Sequence, residues 1–157
     1  MPVKPIPDAY HTVTPYIIVH DAAAAIEFYK KAFGAVETIR LPMPGGKVAH
    51  AEIKIGDSHI MLADEAPAYG AKSPITVGGT SLTLMIYVEN VDVVFNRAIE
   101  AGGVVLRPLK DQFYGDRSGC LTDPFGHQWT IATHVEDVSQ AEVDRRFAEF
   151  TKSAGKE

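Results

Sequence analysis

The sequence predicts an α+β protein built from two similar βαβββ halves, and three observations support this prediction. A shift of 69 residues places the segment IIVHD at 17–21 on the segment IYVEN at 86–90. In both segments an apolar strand pattern runs into a residue that commonly caps a helix. An amphipathic helix pattern and then a glycine follow in each half, before three more strand-like segments. The repeated order of elements indicates an internal duplication.

In the first half, Asp21 is placed to cap a helix that ends at Gly34. The apolar face of this helix has the spacing i, i+3, i+4 and i+7, from Ala22 to Tyr29. Strands are expected over 35–41, 47–55 and 58–64. The last two are joined by the two-residue turn Gly56-Asp57, which favours a hairpin.

The second half repeats this order. Asn90 caps a helix whose apolar stripe runs from Val91 to Ala98, and the glycine pair at 102–103 ends it. Strands are expected over 104–109, 117–122 and 127–134, with a four-residue turn at 123–126 joining the last two. The helix of each half covers only one face of its sheet, so two halves must combine, either within a chain or between chains.

Length and composition predict a single domain over 1–157, because 157 residues with 46% apolar side chains suffice for one ordinary core. We expect a first module at 12–65, a linker or lid at 66–80, a second module at 81–135, and a C-terminal helix and tail at 136–157. Ser139 and Glu142 have capping-box spacing for that helix, and the alternative is a frayed tail.

Charge and cysteine content limit the classes of partner. A net charge of −5 argues against a nucleic-acid partner. No apolar stretch is long enough to cross a membrane, and the first residues do not resemble a secretion signal. With Cys120 as the single cysteine, no internal disulfide can form, so a cytoplasmic location is expected.

Four segments together resemble the vicinal oxygen chelate superfamily, in its glyoxalase/bleomycin resistance protein/dioxygenase type and its PhnB-like branch. They are TPYIIVHDAAAAIEFYKKAFGA, HAEIKIGDSHIMLADE, YVENVDVVFNRAIEAGG and YGDRSGCLTDPFGHQWTIATH, spread over about residues 12–135. The resemblance implies paired βαβββ modules, commonly in a homodimer, whose mixed sheet curls around a ligand cup. It leaves function open, because the superfamily includes metalloenzymes and drug-binding proteins.

The resemblance also implies where a metal would bind, at one position on the first and one on the last strand of each module. In this sequence those positions carry Thr14, Met61, Thr83 and Thr130, which keep the 69-residue spacing. A divalent ion of this class prefers imidazole and carboxylate ligands, whereas a threonine hydroxyl is neutral and a thioether is soft. We therefore predict no metal site and no cofactor.

Side chains alternate between the two faces of a strand, which predicts the lining of the cup. The Gly56-Asp57 turn sets Glu52 opposite Met61, so His50 and His59 lie on the same face. The same counting in the second half places Arg117, Gly119 and Leu121 with Gln128 and Thr130. The predicted ligand-binding residues are Thr14, Tyr16, Ile18, His50, Glu52, Met61, Thr83, Met85, Tyr87, Tyr114 at the rim, Arg117, Gln128 and Thr130.

His50 and Glu52 are the candidate catalytic residues, because residues at i and i+2 on a strand can form an acid/base pair. The alternatives are a displaced metal site or a hydrogen-bonded structural pair. Arg117 is interpreted either as a ligand contact or as an ion-pair partner of Asp111, Asp116 or Asp123. Trp129 is expected in the core, and Cys120 is expected on the face away from the cup.

These observations predict metal-independent binding of a small, partly hydrophobic molecule, similar to the sequestration performed by bleomycin-resistance proteins. One alternative is a glyoxalase-like lyase or isomerase, or a dioxygenase relative, that uses His50 and Glu52. The other is a structural or regulatory relative without catalysis. The expected partners are a small-molecule ligand and a second copy of the chain.

Overall fold

The computed structural model describes residues 2–155 and contains two βαβββ halves. The first half consists of β1 (Tyr16–Val19), α1 (Ala22–Phe33), β2 (Val36–Pro42), β3 (Val48–Ile55) and β4 (Ser58–Asp64). A 3-10 turn (Pro67–Tyr69) and the short helix α2 (Pro74–Val77) connect it to the second half. That half consists of β5 (Thr83–Tyr87), α3 (Val91–Glu100), β6 (Val104–Asp111), β7 (Asp116–Thr122) and β8 (Gln128–His134), and α4 (Gln140–Ala154) follows.

The two halves form two four-stranded sheets with the same topology. Their strand orders are β1-β4-β3-β2 and β5-β8-β7-β6. The first strand of each half pairs in parallel with the last, and the other pairs are antiparallel. The predicted α+β class and the paired βαβββ order are thus confirmed, and neither sheet closes into a barrel.

The predicted helix caps are present. The Asp21 side chain accepts a hydrogen bond from the Ala24 N–H, and the Asn90 side chain accepts one from the Val93 N–H. Gly34 ends α1 with a φ of 67°, in the left-handed region where a side chain is disfavoured. These local signals explain why both helices begin and end close to the predicted positions.

One hydrophobic core joins the two halves. Helices α1 and α3 pack against each other, and the core extends to the helix-covered faces of both sheets. Trp129, from β8, is fully buried with its ring 5.3 Å from that of Tyr29 and 4.7 Å from that of Phe33, both on α1. Trp129 is therefore a core residue, as predicted.

Asp123 connects the halves by buried hydrogen bonds. Its carboxylate accepts a bond from the Tyr29 hydroxyl at 2.6 Å and one from Trp129 Nε1 at 2.9 Å. It also accepts hydrogen bonds from the backbone N–H groups of Phe125 and His127. A buried carboxylate is tolerated only when its oxygens are satisfied in this way.

The face of each sheet that lies away from the helices is uncovered, and we call these the first and second open faces. The first open face contains Tyr16, Ile18, Ile39, Leu41, His50, Glu52, His59 and Met61. The second contains Thr83, Met85, Tyr87, Asp116, Ser118, Cys120, Gln128, Thr130 and His134. Several large apolar side chains are exposed here, among them Leu41 at 55% and Tyr87 at 63%. Soluble proteins rarely leave such patches without a partner.

The predicted register of β7 with β8 is wrong by one residue. Thr122 pairs with Gln128, so the connecting loop has five residues, 123–127, instead of four. The Asp123 side chain holds this longer loop through the Phe125 and His127 N–H groups, and the Asp123 N–H donates to the His127 carbonyl. A shift of one residue exchanges the two faces of a strand.

This register corrects the faces predicted for four residues of β7. Arg117, Gly119 and Leu121 pair with Thr133, Ile131 and Trp129 and lie on the helix-covered side. Cys120 pairs with Thr130 and lies on the second open face, although its side chain is buried. The prediction had placed these residues on the opposite faces.

The C-terminal helix α4 is formed. Its cap is the predicted one, because the Ser139 hydroxyl accepts a bond from the Glu142 N–H. It packs on Phe113, whose ring centroid lies 5.7 Å from that of Phe147 and 5.5 Å from that of Phe150. No helix within residues 2–155 has both the length and the apolar character required to cross a membrane.

The corrected register can be tested with Gly119→Ala. A Cβ at this position would lie 2.7 Å from Cε2 of Phe95 on α3. We expect the free energy of unfolding in urea to fall by about 1–3 kcal/mol, because overpacking strains a close-packed core. The same substitution in a Phe95→Leu background should cost less. A neutral effect in both backgrounds would place Gly119 on the open face and contradict the five-residue loop.

Candidate functional site

A chain of hydrogen-bonded side chains crosses the first open face. The Glu52 carboxylate, only 5% exposed, accepts a bond from the Tyr10 hydroxyl and another from His50 Nε2 at 3.0 Å. His50 Nδ1 lies 2.8 Å from the Tyr16 hydroxyl. Because an ionised carboxylate only accepts, Nε2 of His50 donates to Glu52, and in the neutral imidazole Nδ1 is then the acceptor for the Tyr16 hydroxyl. The chain therefore runs from the partly exposed Tyr16 to a buried negative charge.

The electrostatics agree with this assignment. Burial alone would raise the pKa of Glu52, but the hydrogen bonds from Tyr10 and His50 outweigh it and hold that pKa below its ordinary value. Burial and the charge of Glu52 raise the pKa of the Tyr16 phenol. At neutral pH the site thus contains an ionised carboxylate and protonated phenols.

Local geometry explains why these residues meet. The two-residue turn pairs Ile55 with Ser58, and consequently Glu52 with Met61, as the sequence predicted. Tyr16 pairs with Met61 from the other side, so one row crosses β1, β4 and β3. The structure places His50, Glu52, His59 and Met61 on one face, and their contact with a ligand stays a prediction.

A cavity of about 740 Å³ lies where the first half meets β5. Its walls come from residues 11–15, the β3–β4 hairpin, α1 and β5, and they include Thr14, Phe33, His59, Met85, Tyr87 and Trp129. The Nδ1 atom of His59 is buried and has no hydrogen-bond partner within residues 2–155. A mainly apolar cavity with a few polar groups is the usual form of a small-molecule site.

The second open face carries its own polar network. The Tyr87 hydroxyl donates to Asp116 Oδ2 at 2.8 Å, and His134 Nδ1 lies 2.8 Å from Asp116 Oδ1. The second ring nitrogen of His134, Nε2, lies 2.8 Å from Asp137 Oδ1, at hydrogen-bond distance. Hydrogen bonds to Asp116 and Asp137 raise the pKa of His134. Asp116 is almost fully buried, so Tyr87 and His134 satisfy its charge.

The donor set does not fit the metal site that the resemblance implies. Met61 lies on the first open face, Thr83 and Thr130 lie on the second, and Thr14 lines the cavity. Three hydroxyls and one thioether are poor ligands for a hard or borderline divalent ion. Among the described residues, no three His, Cys, Asp or Glu side chains are close enough to hold an ion.

Arg117 does not join the site. Its guanidinium makes two hydrogen bonds to Asp92, at 2.9 and 3.0 Å, and one to Asp111 at 3.2 Å. These contacts lie on the helix-covered side, so the structure supports the ion-pair interpretation, and contact of Arg117 with a ligand stays a prediction. Asp111 was among the predicted ion-pair partners, whereas Asp116 and Asp123 bond other side chains.

The remaining predicted residues are spread over the surface. Tyr114 packs edge-on against Phe113 at the tip of the β6–β7 hairpin and is partly exposed. Gln128 lies 3.4 Å from the Thr83 hydroxyl on the second open face. Ile18 lies two residues after Tyr16 on β1, so both side chains are on the first open face. Their role in binding stays a prediction.

Sequence reasoning missed Tyr10, Phe33 and the cavity contribution of Trp129. Phe33 and Trp129 follow core periodicity, which predicts only that they are buried. In the structure they also line the cavity, next to β5 at the edge of its sheet. Tyr10 precedes any regular element, so alternation along a strand or helix carries no information about it. Its contact with Glu52, 42 residues further along the chain, is tertiary.

The sequence and the fold of this chain are both similar to those of known proteins. The family pattern of the Glyoxalase/Bleomycin resistance protein/Dioxygenase superfamily matches residues 10–131. An uncharacterized protein of Mycobacterium tuberculosis strain H37Rv is 45% identical over 134 residues, which cover 83% of this chain and 79% of that protein.

Solved structures share the fold. TioX from Micromonospora sp. ML1 superposes with a TM-score of 0.64 and 25% identity, covering 80% of this chain and 99% of TioX. A PhnB protein from Bacillus cereus superposes with a TM-score of 0.62 and 20% identity, covering 78% and 99%. At 20% identity, the similarity to the PhnB protein shows a shared fold only.

Glu52→Gln tests the charge of the site. Tyr10 and His50 bond different oxygens of the carboxylate, and in the variant one of these positions carries an NH2 group that cannot accept, so we expect the free energy of unfolding at pH 7 to fall by about 1–3 kcal/mol. Because the folded-state pKa of Glu52 is lowered, its contribution is present above the ordinary pKa of 4.5 and is lost as the pH falls through the folded value.

Urea titrations of the wild type and the variant at pH 7, 5.5 and 4 measure this difference. Glu89→Gln, at an exposed position, controls for the loss of one negative charge. A difference that stays constant or grows toward pH 4 would contradict the ionised state of Glu52.

Proposed function

This chain belongs to the Glyoxalase/Bleomycin resistance protein/Dioxygenase superfamily, and we propose that it binds a small, partly hydrophobic molecule on its open faces without a metal cofactor. The chemistry of four residues carries this proposal. Thr14, Met61, Thr83 and Thr130 stand where metal-using relatives place their ligands, and these side chains suit van der Waals contact and neutral hydrogen bonding better than coordination.

The surroundings of these residues support binding. Aromatic, thioether and aliphatic side chains lie on the open faces, with the hydroxyls of Thr83 and Thr130 on the second face, and the cavity between the halves is large enough for a small organic molecule. The superfamily description includes bleomycin resistance proteins, for which sequestration of a drug is sufficient activity. The cytoplasmic location expected from the sequence belongs to the same proposal.

The functional unit in this proposal is a homodimer. Within one chain, the helix-covered faces of both sheets share a core through α1 and α3, so the two open faces lie away from that core and cannot cover each other. A second copy provides the missing cover when the first open face of each chain meets the second open face of its partner. This isologous arrangement closes two equivalent cups and buries the exposed apolar side chains.

A second candidate function is acid–base catalysis. The order Tyr16–His50–Glu52 resembles other chains in which a carboxylate orients an imidazole that accepts a proton from a hydroxyl. Such a chain can move a proton to or from a ligand beside Tyr16, as a glyoxalase-like lyase or isomerase requires. The dioxygenase alternative has no comparable support, because it needs a redox-active ion that the four positions do not favour.

Thermal unfolding with bleomycin, aromatic antibiotics and S-hexylglutathione tests the binding function. A compound present at 100 times its Kd adds about 2.7 kcal/mol of apparent stability. We expect at least one of these probes to raise Tm equally with and without EDTA. Met85→Glu should abolish the shift, whereas Val93→Glu, at an exposed position of α3, should preserve it.

A shift that disappears with EDTA, or that survives Met85→Glu, would contradict the proposal. If no compound shifts Tm, the structural or regulatory alternative replaces it. Consumption of a bound compound in the wild type but not in His50→Gln would favour acid–base catalysis instead.

Light scattering after size exclusion tests the assembly. One chain has a mass of 17.0 kDa, so the homodimer should measure about twice this mass. Leu41→Asp on the first open face and Tyr87→Asp on the second should each give monomers, because a charge would be buried in the interface. Val93→Asp should remain dimeric. A wild type that stays monomeric at about 100 μM, which implies a dimer Kd above roughly 0.1 mM, would overturn the arrangement.

A further inference from the structure

The segment before β1 lies against the first open face through one side chain. The Tyr10 ring centroid is 4.9 Å from that of His59, and its hydroxyl donates to the Glu52 carboxylate. Residues 2–9 are exposed, whereas Tyr10 is half-buried. A short segment held mainly by its one aromatic residue can leave the sheet at small cost, because few buried contacts are lost.

The other hydrogen bonds of residues 2–14 do not attach them to the sheet, and the chain is next bonded to it at Pro15, whose carbonyl accepts the Met61 N–H. The Lys4 ammonium donates a hydrogen bond to the Asp8 carboxylate, and the Tyr10 N–H donates to the Pro7 carbonyl. The Thr14 hydroxyl donates to the His11 carbonyl. Within the described part of the chain, each of these pairs stays inside residues 2–14. Tyr10 is therefore the residue that decides whether the segment covers Glu52.

The place that Tyr10 occupies has the features of a ring-binding site. The imidazole of His59 provides a flat surface, Met61 pairs with Glu52 in the sheet, and the carboxylate offers a buried acceptor. His50 already holds the other carboxylate oxygen. One directed acceptor beside a flat apolar surface selects an aromatic ring that carries a hydrogen-bond donor.

We propose that this is a recognition site for phenolic compounds, which Tyr10 fills in the free protein and which a phenolic ligand takes over by displacing Tyr10. The proposal rests on the binding function above and specifies its ligand class. The ligand ring packs on His59 and its hydroxyl donates to Glu52, so the hydrogen bond lost by Tyr10 is replaced in kind.

Charge makes this site selective. Glu52 is ionised and can only accept, so the methyl ether of the same phenol, which has no O–H to donate, leaves the buried carboxylate with one partner fewer. A carboxylate-bearing ring is repelled by the same charge. Because the wild type must first release Tyr10, its apparent affinity is reduced by the fraction of molecules in the open state.

Amide chemical-shift titrations of the full-length protein test the proposal, with p-cresol as the probe and 4-methylanisole as the matched compound without a donor. We expect Tyr10→Ala to bind p-cresol about 10-fold more tightly than the wild type does. Shifts should concentrate at 50–53 and 58–61. Tyr10→Phe keeps the ring without the donor and should give an intermediate affinity.

The contribution of Glu52 is isolated in the Tyr10→Ala background. There, p-cresol should bind about 10-fold more tightly than 4-methylanisole, and adding Glu52→Gln should remove this preference while ring binding remains. The dispersion of the free spectra shows whether each variant is folded. Because Tyr10→Ala and Tyr10→Phe leave the sheet residues unchanged, at least one informative variant is expected to fold.

Equal affinity of p-cresol for the wild type and Tyr10→Ala would overturn the proposal, as would equal affinity for p-cresol and 4-methylanisole. If p-cresol fails while a compound of the thermal screen binds and is lost in Met85→Glu, only the phenol inference is wrong. If neither p-cresol nor any screened compound binds, the proposed binding function is wrong as well.

Discussion

The buried carboxylate of Asp123 is the contact on which most of this structure depends. It joins α1 to β8 through Tyr29 and Trp129, and it also holds the loop between β7 and β8 through two backbone N–H groups. One group thus links the two halves and determines which side chains of β7 face the helices. Because the charge is buried, any arrangement that leaves it unsatisfied is strongly disfavoured.

The position of the binding surfaces follows from this shared core. Since α1 and α3 pack against each other, both sheets direct their helix-covered faces into one interior and leave the opposite faces open. The two open faces therefore lie on the outside of the chain and do not enclose a cup between them. In the homodimer proposed above, a second copy covers the exposed Leu41, Met85 and Tyr87 of these faces.

The chemistry of the first open face is that of directed hydrogen bonding. Glu52 receives one bond from His50 and one from Tyr10, so its negative charge is held at a defined place by two hydrogen-bond donors. This arrangement is compatible both with recognition of a donor group and with proton transfer through His50 to Tyr16. The same polar chain therefore supports the binding proposal and its enzymatic alternative, and only ligand chemistry separates them.

The sequence by itself determined the features that depend on neighbouring residues: the duplicated βαβββ order, the caps at Asp21 and Asn90, and the parity of the first sheet. The Gly56-Asp57 hairpin permits one local geometry, so His50, Glu52 and Met61 could be assigned to one face. Tertiary structure decided the β7–β8 register, because the five-residue loop is held by an aspartate whose other partners lie on α1 and β8. It also decided the ion pair of Arg117 with Asp92 and the place of Tyr10, since Asp92 lies 25 residues from Arg117 and Glu52 lies 42 residues from Tyr10, and no local spacing relates either pair.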